Sequence, residues 1–388
     1  MATRVDPTVM DELKKYGAVG IEKCISCGNC TAICPLASDE HPFPRRVTRL
    51  IQMGMRDQLL ASVDPWLCYY CGDCTKTCPK GAEPAETMMS ARRWLIAQYD
   101  QSGQAKKLYT SEKTAALAIL RTALLPLVLL IGFHILTHGN NIRTDRVVLN
   151  DFAPVMWVWA IVLIDFVILG WHLIRNSSSM IKKVLGPQAN LKSIPIDAYV
   201  AGVKEFAVHF ISQRQWWSKC DPQERKVEVF RWLKHLLLMT GYLTMLILVV
   251  PFLWWFQTDK IYPWYNPQRW LGYYATLVLV FTSVEIIYSR IKKKEEVHRF
   301  SHTTDWLFPG FLLVGSITGI LVHILRYMQL PWPTYIAYTV HVMAMLAMLD
   351  TEVGIGKWTH LIYRPLAPAL EALMKREEEY APELAPAD

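Results

Sequence analysis

The sequence predicts an all-α protein in two parts, a soluble N-terminal part followed by a bundle of six transmembrane helices. Three observations predict this fold class. The chain of 388 residues is 52% hydrophobic and contains 15 tryptophans, a more apolar and aromatic composition than is usual for a soluble protein. Six long apolar segments follow residue 114. Before them, the segment 46–61 has apolar residues at helical spacing, which indicates a helix.

Eight of the nine cysteines fall in two runs of identical spacing, residues 24–35 and 68–79. Each run reads C-x₂-C-x₂-C-x₃-C-P, the spacing of two-cluster [4Fe-4S] ferredoxins. The short gaps bring three thiolates to one cubane, while the fourth cysteine, turned away before a proline, ligates the other cluster. Zinc would not explain the third cysteine or the proline. The runs therefore predict two [4Fe-4S] clusters.

The cluster ligands follow from this pattern, with the fourth cysteines exchanged between the runs. Because a helix lies between the runs, we expect an α-helical two-cluster ferredoxin domain rather than the small βαβ type. The ninth cysteine, Cys220, is interpreted as a free thiol. The first cluster is assigned Cys24, Cys27, Cys30 and Cys78, and the second Cys68, Cys71, Cys74 and Cys34.

The six apolar segments are each near the roughly 20 residues needed to cross the hydrocarbon core. Six in succession disfavour the alternative of buried core helices in a soluble protein. The last segment is expected to continue toward residue 362. The segments are 115–137, 154–174, 232–256, 270–289, 305–328 and 334–350.

This pattern divides the chain into an iron–sulfur domain at 1–110, a membrane domain at 111–365 and a charged C-terminal tail at 366–388. Within the membrane domain the long loop 176–230 contains an amphipathic stretch. We expect that stretch to lie on the inner membrane face or to bind a partner subunit.

Lysine and arginine predict the orientation of the spans. The loops 175–231 and 290–299 carry ten and five of these residues, whereas 138–153, 257–269 and 326–333 carry two, two and one. Basic loops stay in the cytoplasm, so an even number of spans places both termini there. The polar first twenty residues, which lack a secretory signal, agree. We expect a bacterial inner (cytoplasmic) membrane protein in contact with lipid. The +7 net charge does not indicate nucleic acid.

Histidines in the spans predict haem. No C-x-x-C-H occurs, which excludes c-type haem. His341 and His360 are nineteen residues apart, about 28 Å on one continuous helix, so each would lie near one membrane face. This favours two stacked b haems, with His235 pairing with His360 on the inner side. Packing histidines are the alternative interpretation.

The outer haem would take His341 and a partner of similar depth. His323 is our first choice, followed by His134 and then Met245. Asp165, near the middle of the second span, is a candidate proton relay for quinone chemistry or else a satisfied buried acid.

Nucleotide and flavin sites are unsupported, since no G-x-G-x-x-G or complete phosphate loop occurs. The cysteine runs with their helical insert resemble the C subunit of heterodisulfide reductases. The membrane part, with the run Lys357-Trp-Thr-His-Leu-Ile-Tyr-Arg-Pro365, is similar to the cytochrome b gamma subunit of respiratory nitrate reductases. In that gamma subunit two haem histidines lie ten residues apart on one span, and the corresponding positions here are His235 and Met245.

The fusion of both parts in one chain resembles the C subunit of the quinone-interacting membrane-bound oxidoreductase complexes of sulfate reducers. This resemblance implies a quinone-reacting subunit of a multi-subunit oxidoreductase. It also implies menaquinol as donor, two cytoplasmic flavin and iron–sulfur subunits as partners, and adenylylsulfate (APS) reductase as eventual acceptor. Two alternative functions stay open. The chain could be the membrane subunit of a heterodisulfide reductase-like complex or of a complex linked to sulfite reduction, or it could be a haem-free membrane anchor for an iron–sulfur relay.

Overall fold

The computed structural model describes residues 5–139, 142–186, 196–212 and 225–380. Within these ranges the regular structure is helical, without β-strands, so the predicted all-α fold class is confirmed. Cys220 lies outside the described residues.

Short helices build the N-terminal part around one buried helix. That helix, α7, buries all but one of its sixteen residues, including Met88, Trp94 and Leu95. Leu13, Ile51 and Trp66 complete the surrounding core, together with residues of the membrane part. The helices are α1 (Val9–Lys14), α2 (Asn29–Ile33), α3 (Arg45–Gln52), α4 (Arg56–Ala61), α5 (Asp64–Leu67), α6 (Asp73–Lys76), α7 (Pro84–Tyr99) and α8 (Gln104–Thr110).

Among the described residues, six longer helices are apolar enough to cross a membrane, as the sequence predicts. Large apolar side chains such as Leu136, Val167 and Leu277 are more than two-thirds exposed, as lipid-facing residues would be. The helices that contain the six candidate spans are α9 (Glu112–Leu136), α11 (Val155–Leu185), α13 (Arg225–Val249), α15 (Pro267–Ile291), α16 (Thr304–Tyr327) and α17 (Pro331–Met348). Between and after them lie α10 (Leu149–Phe152), α12 (Ile196–Ser212), α14 (Leu253–Phe256) and α18 (His360–Tyr380).

The third span is shorter than predicted. The segment 232–256 is not one helix, because α13 ends at Val249 and α14 is separate. Pro251 lies between them, and proline cannot continue a helix because it lacks the N–H and clashes with the preceding turn.

The chain after the sixth span also differs from the prediction. One π-helical turn, Leu349–Val353, follows α17, and α18 starts only at His360. Gly356 lies at the break, where an added Cβ would come within 2.3 Å of the Thr351 carbonyl oxygen. The expectation that His341 and His360 share one continuous helix is therefore wrong.

The helix that follows runs past the predicted start of the charged tail, since α18 continues to Tyr380. Helix α12, from the predicted amphipathic loop, packs along it. A Cβ on Gly202 would lie 3.5 Å from the Ala369 carbonyl oxygen. On its other side α12 exposes Val200, Val203 and Ile211.

Buried ion pairs join the iron–sulfur domain to one end of the bundle, which we call the domain-facing end. Arg93 of α7 contacts Glu86 at 2.9 Å and Asp305, the second residue of α16, at 2.8 Å. Lys357 contacts the other oxygen of Asp305, also at 2.8 Å. These carboxylates and Arg93 are 4% exposed, so each buried charge has its partner within the interface.

Candidate functional site

The two cysteine runs adopt the same local backbone. Ser26 and Tyr70, at matching positions, both have left-handed φ values, 59° and 60°, and Gly28 and Gly72 share a φ of 94°. That last value is open to glycine and strained for other residues. Helices α2 and α6 begin directly after these glycines. Each run therefore curls in the same way around its cysteines.

The first set of assigned cysteines lines one concavity of the surface. Burial raises the pKa of the Cys30 thiol, and neighbouring cysteines, among them Cys78 from the other run, raise it further. Cys27 is exposed, so this set lies at the surface. The concavity contains Cys24, Cys27, Cys30 and Cys78, with Arg45 and Lys80 also in its lining.

The second set gathers around Cys74. Burial raises the pKa of the Cys74 thiol, and Cys68, Cys71 and Cys34 act on it in the same direction. Burial likewise raises the pKa of Cys34 to about 11 and that of Cys71 to about 12. Cys68 is buried, so this set lies deeper than the first.

The chemistry of these donors fits [4Fe-4S] clusters, in which each iron binds one cysteine thiolate. Main-chain N–H groups also donate to sulfur: Tyr70 to Cys68 and Ala82 to Cys78, each at 3.3 Å. Such bonds stabilise bound thiolates.

His235 of α13 faces His360 at the start of α18. Their ring centroids are 6.4 Å apart and the ring planes are inclined by 66°. The structure therefore brings the predicted inner pair together. A ligating imidazole nitrogen lies about 2 Å from its metal, so these two histidines are the ones that would hold the iron of a b haem.

The environment of His360 suits a metal ligand. Its Nδ1 is hydrogen-bonded to the Lys357 carbonyl oxygen, which makes Nδ1 the donor and leaves Nε2 as the free ligating atom. Burial lowers the pKa of His360 to about 3, so the ring stays neutral, as a ligand must be.

His341 has the same kind of orientation in the bundle. Its Nδ1 lies 3.1 Å from the Gly315 carbonyl oxygen and 3.1 Å from the Thr318 hydroxyl. An added Cβ on Gly319 would lie 3.2 Å from the ring, so this glycine makes room for it.

His323 does not lie at the depth of His341, and that expectation is wrong. His341 is ten residues into α17, whereas His323 is four residues from the end of α16. The Nε2 of His323 lies 3.0 Å from the Tyr273 hydroxyl and 3.4 Å from Arg269. This histidine therefore belongs to a polar group near the end of the bundle remote from the iron–sulfur domain.

The other two candidates for the outer haem have different surroundings. The ring of His134 lies 5.0 Å from that of Phe152, and neither of its buried nitrogens has a hydrogen-bond partner among the described residues. Met245 packs with Met345 against an apolar cluster between the spans. That His134 or Met245 is a ligand of the outer haem remains a prediction.

Asp165 lies on α11, the helix that contains the second candidate span. It is 9% exposed, which agrees with the predicted buried position. Its role as a proton relay stays a prediction.

The sequence does not predict the role of Arg364, which connects the second cysteine run to the helix of His360. Its guanidinium donates to the main-chain carbonyl of Cys68 at 3.3 Å, and Arg92 donates to the same oxygen. Arg364 is one helical turn after His360. The rings of Tyr363 and Trp66 pack beside this contact with centroids 5.0 Å apart.

Fold and site together define a dicluster iron–sulfur domain joined, in the described part of the chain, to six candidate membrane-spanning helices. Residues 20–82 match the family model described as 4Fe-4S dicluster domain. The second cysteine run, like the first, lies inside this match.

The relatives share the name of one kind of protein, the C subunit of heterodisulfide reductase. The chain is 34% identical over 98 residues to a heterodisulfide reductase C-subunit-like protein of Archaeoglobus profundus, which covers 25% of this chain and 52% of the relative. It is 30% identical over 74 residues to the iron-sulfur C subunit of the CoB–CoM heterodisulfide reductase of Methanopyrus kandleri, covering 19% of this chain and 38% of the relative.

A third relative is the C subunit of the H₂:CoB–CoM heterodisulfide, ferredoxin reductase of Methanothermobacter marburgensis, with 27% identity over 64 residues, 16% of this chain and 35% of the relative. The chain thus spans about half the length of these relatives or less. No solved structure matches the chain. The N-terminal part is therefore an iron–sulfur domain like that of the heterodisulfide reductase C subunits.

Proposed function

We propose that the chain is the quinone-reacting, electron-transfer subunit of a membrane-bound oxidoreductase complex. It passes electrons from menaquinol, via b haem held in the bundle, to two [4Fe-4S] clusters and then to cytoplasmic flavoprotein partners. The bound clusters and haem supply the one-electron carriers. The contribution of the chain is to hold these carriers in order and to keep water from the inner ones.

The observation that carries this proposal is the hydrogen bond that links the deeper cysteine set to the helix of His360. Arg364 lies one turn from His360 and bonds the Cys68 carbonyl, so the second cluster site is the neighbour of the predicted haem site. The first cluster site, with its exposed Cys27, is at the surface. This order suits transfer from the bundle to a partner that docks at the first cluster.

The cluster ligands are part of the proposal. Cys24, Cys27, Cys30 and Cys78 hold the surface cluster, and Cys68, Cys71, Cys74 and Cys34 hold the inner one. A surface concavity containing the whole first set, and the grouping of the second set around Cys74, support this exchange of fourth cysteines.

The second part of the proposal concerns the outer haem site of the bundle. His341 holds a second b haem through Nε2, with His134 or Met245 as the partner in preference to His323, whose Nε2 is already bonded. Asp165 serves as a proton relay. The domain-facing end and both termini lie on the cytoplasmic side of a bacterial inner membrane, because loops rich in lysine and arginine stay on the cytoplasmic side.

Sulfate respiration is the setting we propose, with two flavin and iron–sulfur partner subunits and APS reductase as the eventual acceptor. The names of the relatives favour a second candidate, a membrane subunit of a heterodisulfide reductase-like complex. The two candidates share the same cofactors. Purification with native partners, followed by tests of adenylylsulfate and disulfide reduction by the intact complex, separates them.

Haem content tests the proposal. The purified chain is expected to give a b-type reduced-minus-oxidised spectrum, which H235A and H360A lower by one haem per chain while the non-haem iron content stays unchanged. H138A, at an exposed histidine in a loop, is the control and should keep the spectrum of the original chain. Absence of any b-haem signal from the original chain would leave a haem-free anchor as the function of the bundle.

A further inference from the structure

The turn that precedes His360 is packed into the iron–sulfur domain. Ile355, in this turn, is 7% exposed and belongs to the hydrophobic core that also contains Leu13 and Trp66. Three residues after His360, Tyr363 is fully buried in the same core. The predicted haem ligand is therefore flanked on both sides by side chains that the core of the iron–sulfur domain holds in place.

A buried carboxylate also ties the side chain of Lys357, in the same turn, to that domain. The Nζ of Lys357 lies 2.8 Å from Oδ1 of Asp305, and the other oxygen of Asp305 lies 2.8 Å from Arg93 of α7. Arg93 contacts Glu86 as well, at 2.9 Å. Separating buried charges leaves them without partners, which is strongly unfavourable. The position of Lys357 therefore depends on Arg93 through the carboxylate that they share.

Hydrogen bonds fix the main chain of the turn. The Lys357 N–H donates to the Glu352 carboxyl group at 3.1 Å. The Thr359 hydroxyl donates to the Gly356 carbonyl oxygen at 2.8 Å. The carbonyl oxygen of Lys357 in turn accepts from Nδ1 of His360. Such a bond to the second ring nitrogen sets the tautomer and the orientation of a ligating histidine. Lys357 thus connects the anchored turn to the orientation of His360.

We propose that the iron–sulfur domain completes the inner haem site by positioning His360. This inference rests on the proposed function and deepens it. Arg93 and Lys357 are positioning residues, which act through Asp305 and through the turn rather than by touching the haem. The site therefore reaches its ligating geometry only while the domain is docked on the bundle. Because coupling between two binding events is reciprocal, haem bound at this site strengthens the docking of the domain by the same factor.

The first test needs no haem. Hydrogen–deuterium exchange of the full chain in its haem-free form should be slow in peptides that cover residues 352–362. R93Q and K357M should speed this exchange about tenfold or more, because they allow the turn to open locally. R56Q is the matched control, since Arg56 pairs with Asp6 inside the iron–sulfur domain, and it should leave the exchange unchanged. Fast exchange in the original chain, or equally slow exchange in both R93Q and K357M, would overturn the proposal.

The second test adds haem. In titrations of the full chain, R93Q and K357M should bind the inner b haem about tenfold or more weakly, as is usual when a partner of a ligating histidine is lost. R93K and K357R keep the charges and should recover much of the affinity. The iron–sulfur content and the signal of the outer haem should not change, which separates the positioning of His360 from general unfolding.

Affinities for the inner haem that equal the original in both R93Q and K357M would overturn the proposal. If the original chain binds no b haem, the proposed function fails. The exchange experiment then decides alone whether the iron–sulfur domain positions the turn before His360.

Discussion

The guanidinium of Arg364 donates a hydrogen bond of 3.3 Å to the main-chain carbonyl of Cys68. This bond joins the first turn of α18, which begins at His360, to the second cysteine run. It places a positive charge between the deeper cluster site and the predicted haem pair.

We expect R364Q to lower the midpoint potential of the inner cluster, because a nearby positive charge favours the reduced form. The substitution also removes a hydrogen bond from a charged donor, about 1.5–3 kcal/mol of interface stability. Redox titration followed by electron paramagnetic resonance measures the potential. R299Q, which removes an exposed arginine paired with Glu296, is the control. Equal potentials in R364Q and the original chain would contradict this role of Arg364.

The exchange of fourth cysteines predicts which cluster each variant loses. C78S should impair the surface cluster held by Cys24, Cys27 and Cys30, while C34S should impair the inner one. Because the two clusters have different surroundings, their resonance signals should be lost selectively. C220S is expected to keep the full iron content. Loss of the inner signal in C78S would show that each run holds its own cluster.

Gly356 should be essential for the position of His360. An alanine there would place Cβ 2.3 Å from the Thr351 carbonyl oxygen, so the break before α18 must shift. We expect G356A to lose the inner b haem while keeping its iron–sulfur clusters. G310A is the matched control, since a Cβ at that position meets nothing within 4 Å. Normal haem content in G356A would mean that the break does not position His360.

The buried ion pairs at the domain interface should contribute more stability than exposed pairs. D305N weakens the contacts of Asp305 with Arg93 and Lys357, and breaking a buried pair costs about 3–5 kcal/mol. We therefore expect a clearly lower urea midpoint for loss of iron–sulfur absorbance. D151N, which removes an exposed pair with Arg143, should cost about 0–1 kcal/mol. Equal midpoints for the two variants would contradict a structural role for the interface.

His41 predicts a pH dependence of stability. Its Nε2 lies 2.8 Å from the carboxylate of Asp64, and this hydrogen bond raises the pKa of His41 in the folded chain. A raised folded pKa contributes stability that is fully present below the unfolded value of about 6.5 and is lost as pH rises through the folded pKa. Urea midpoints between about pH 6 and 9 should fall for the original chain and change less for H41Q. Parallel curves would contradict the assignment.

The sequence predicts those features that depend on local spacing. The cysteine runs determine their own geometry over a dozen residues, and apolar length identifies six spans, so both features could be read directly. The pairing of His235 with His360 could also be predicted, because the depth of each histidine in the membrane follows from its position along its own segment.

What the sequence does not reveal depends on tertiary contacts. The break at Gly356 follows from the close approach of Thr351, and the bond between Arg364 and Cys68 joins residues that are 296 positions apart in the chain. The sequence does not show where α16 ends and where α17 begins, and these boundaries determine how deep His323 and His341 lie in the bundle. For this reason the sequence led us to place the two histidines at the same depth.

The most direct test of electron transfer through the bundle is rapid mixing of oxidised protein with a menaquinol analogue, with haem and iron–sulfur absorbance followed together. Our account predicts that haem is reduced first and the clusters afterwards, and that H360A retains its iron–sulfur clusters but loses quinol-driven cluster reduction. Clusters reduced by quinol at the same rate in H360A and the original chain would contradict the account.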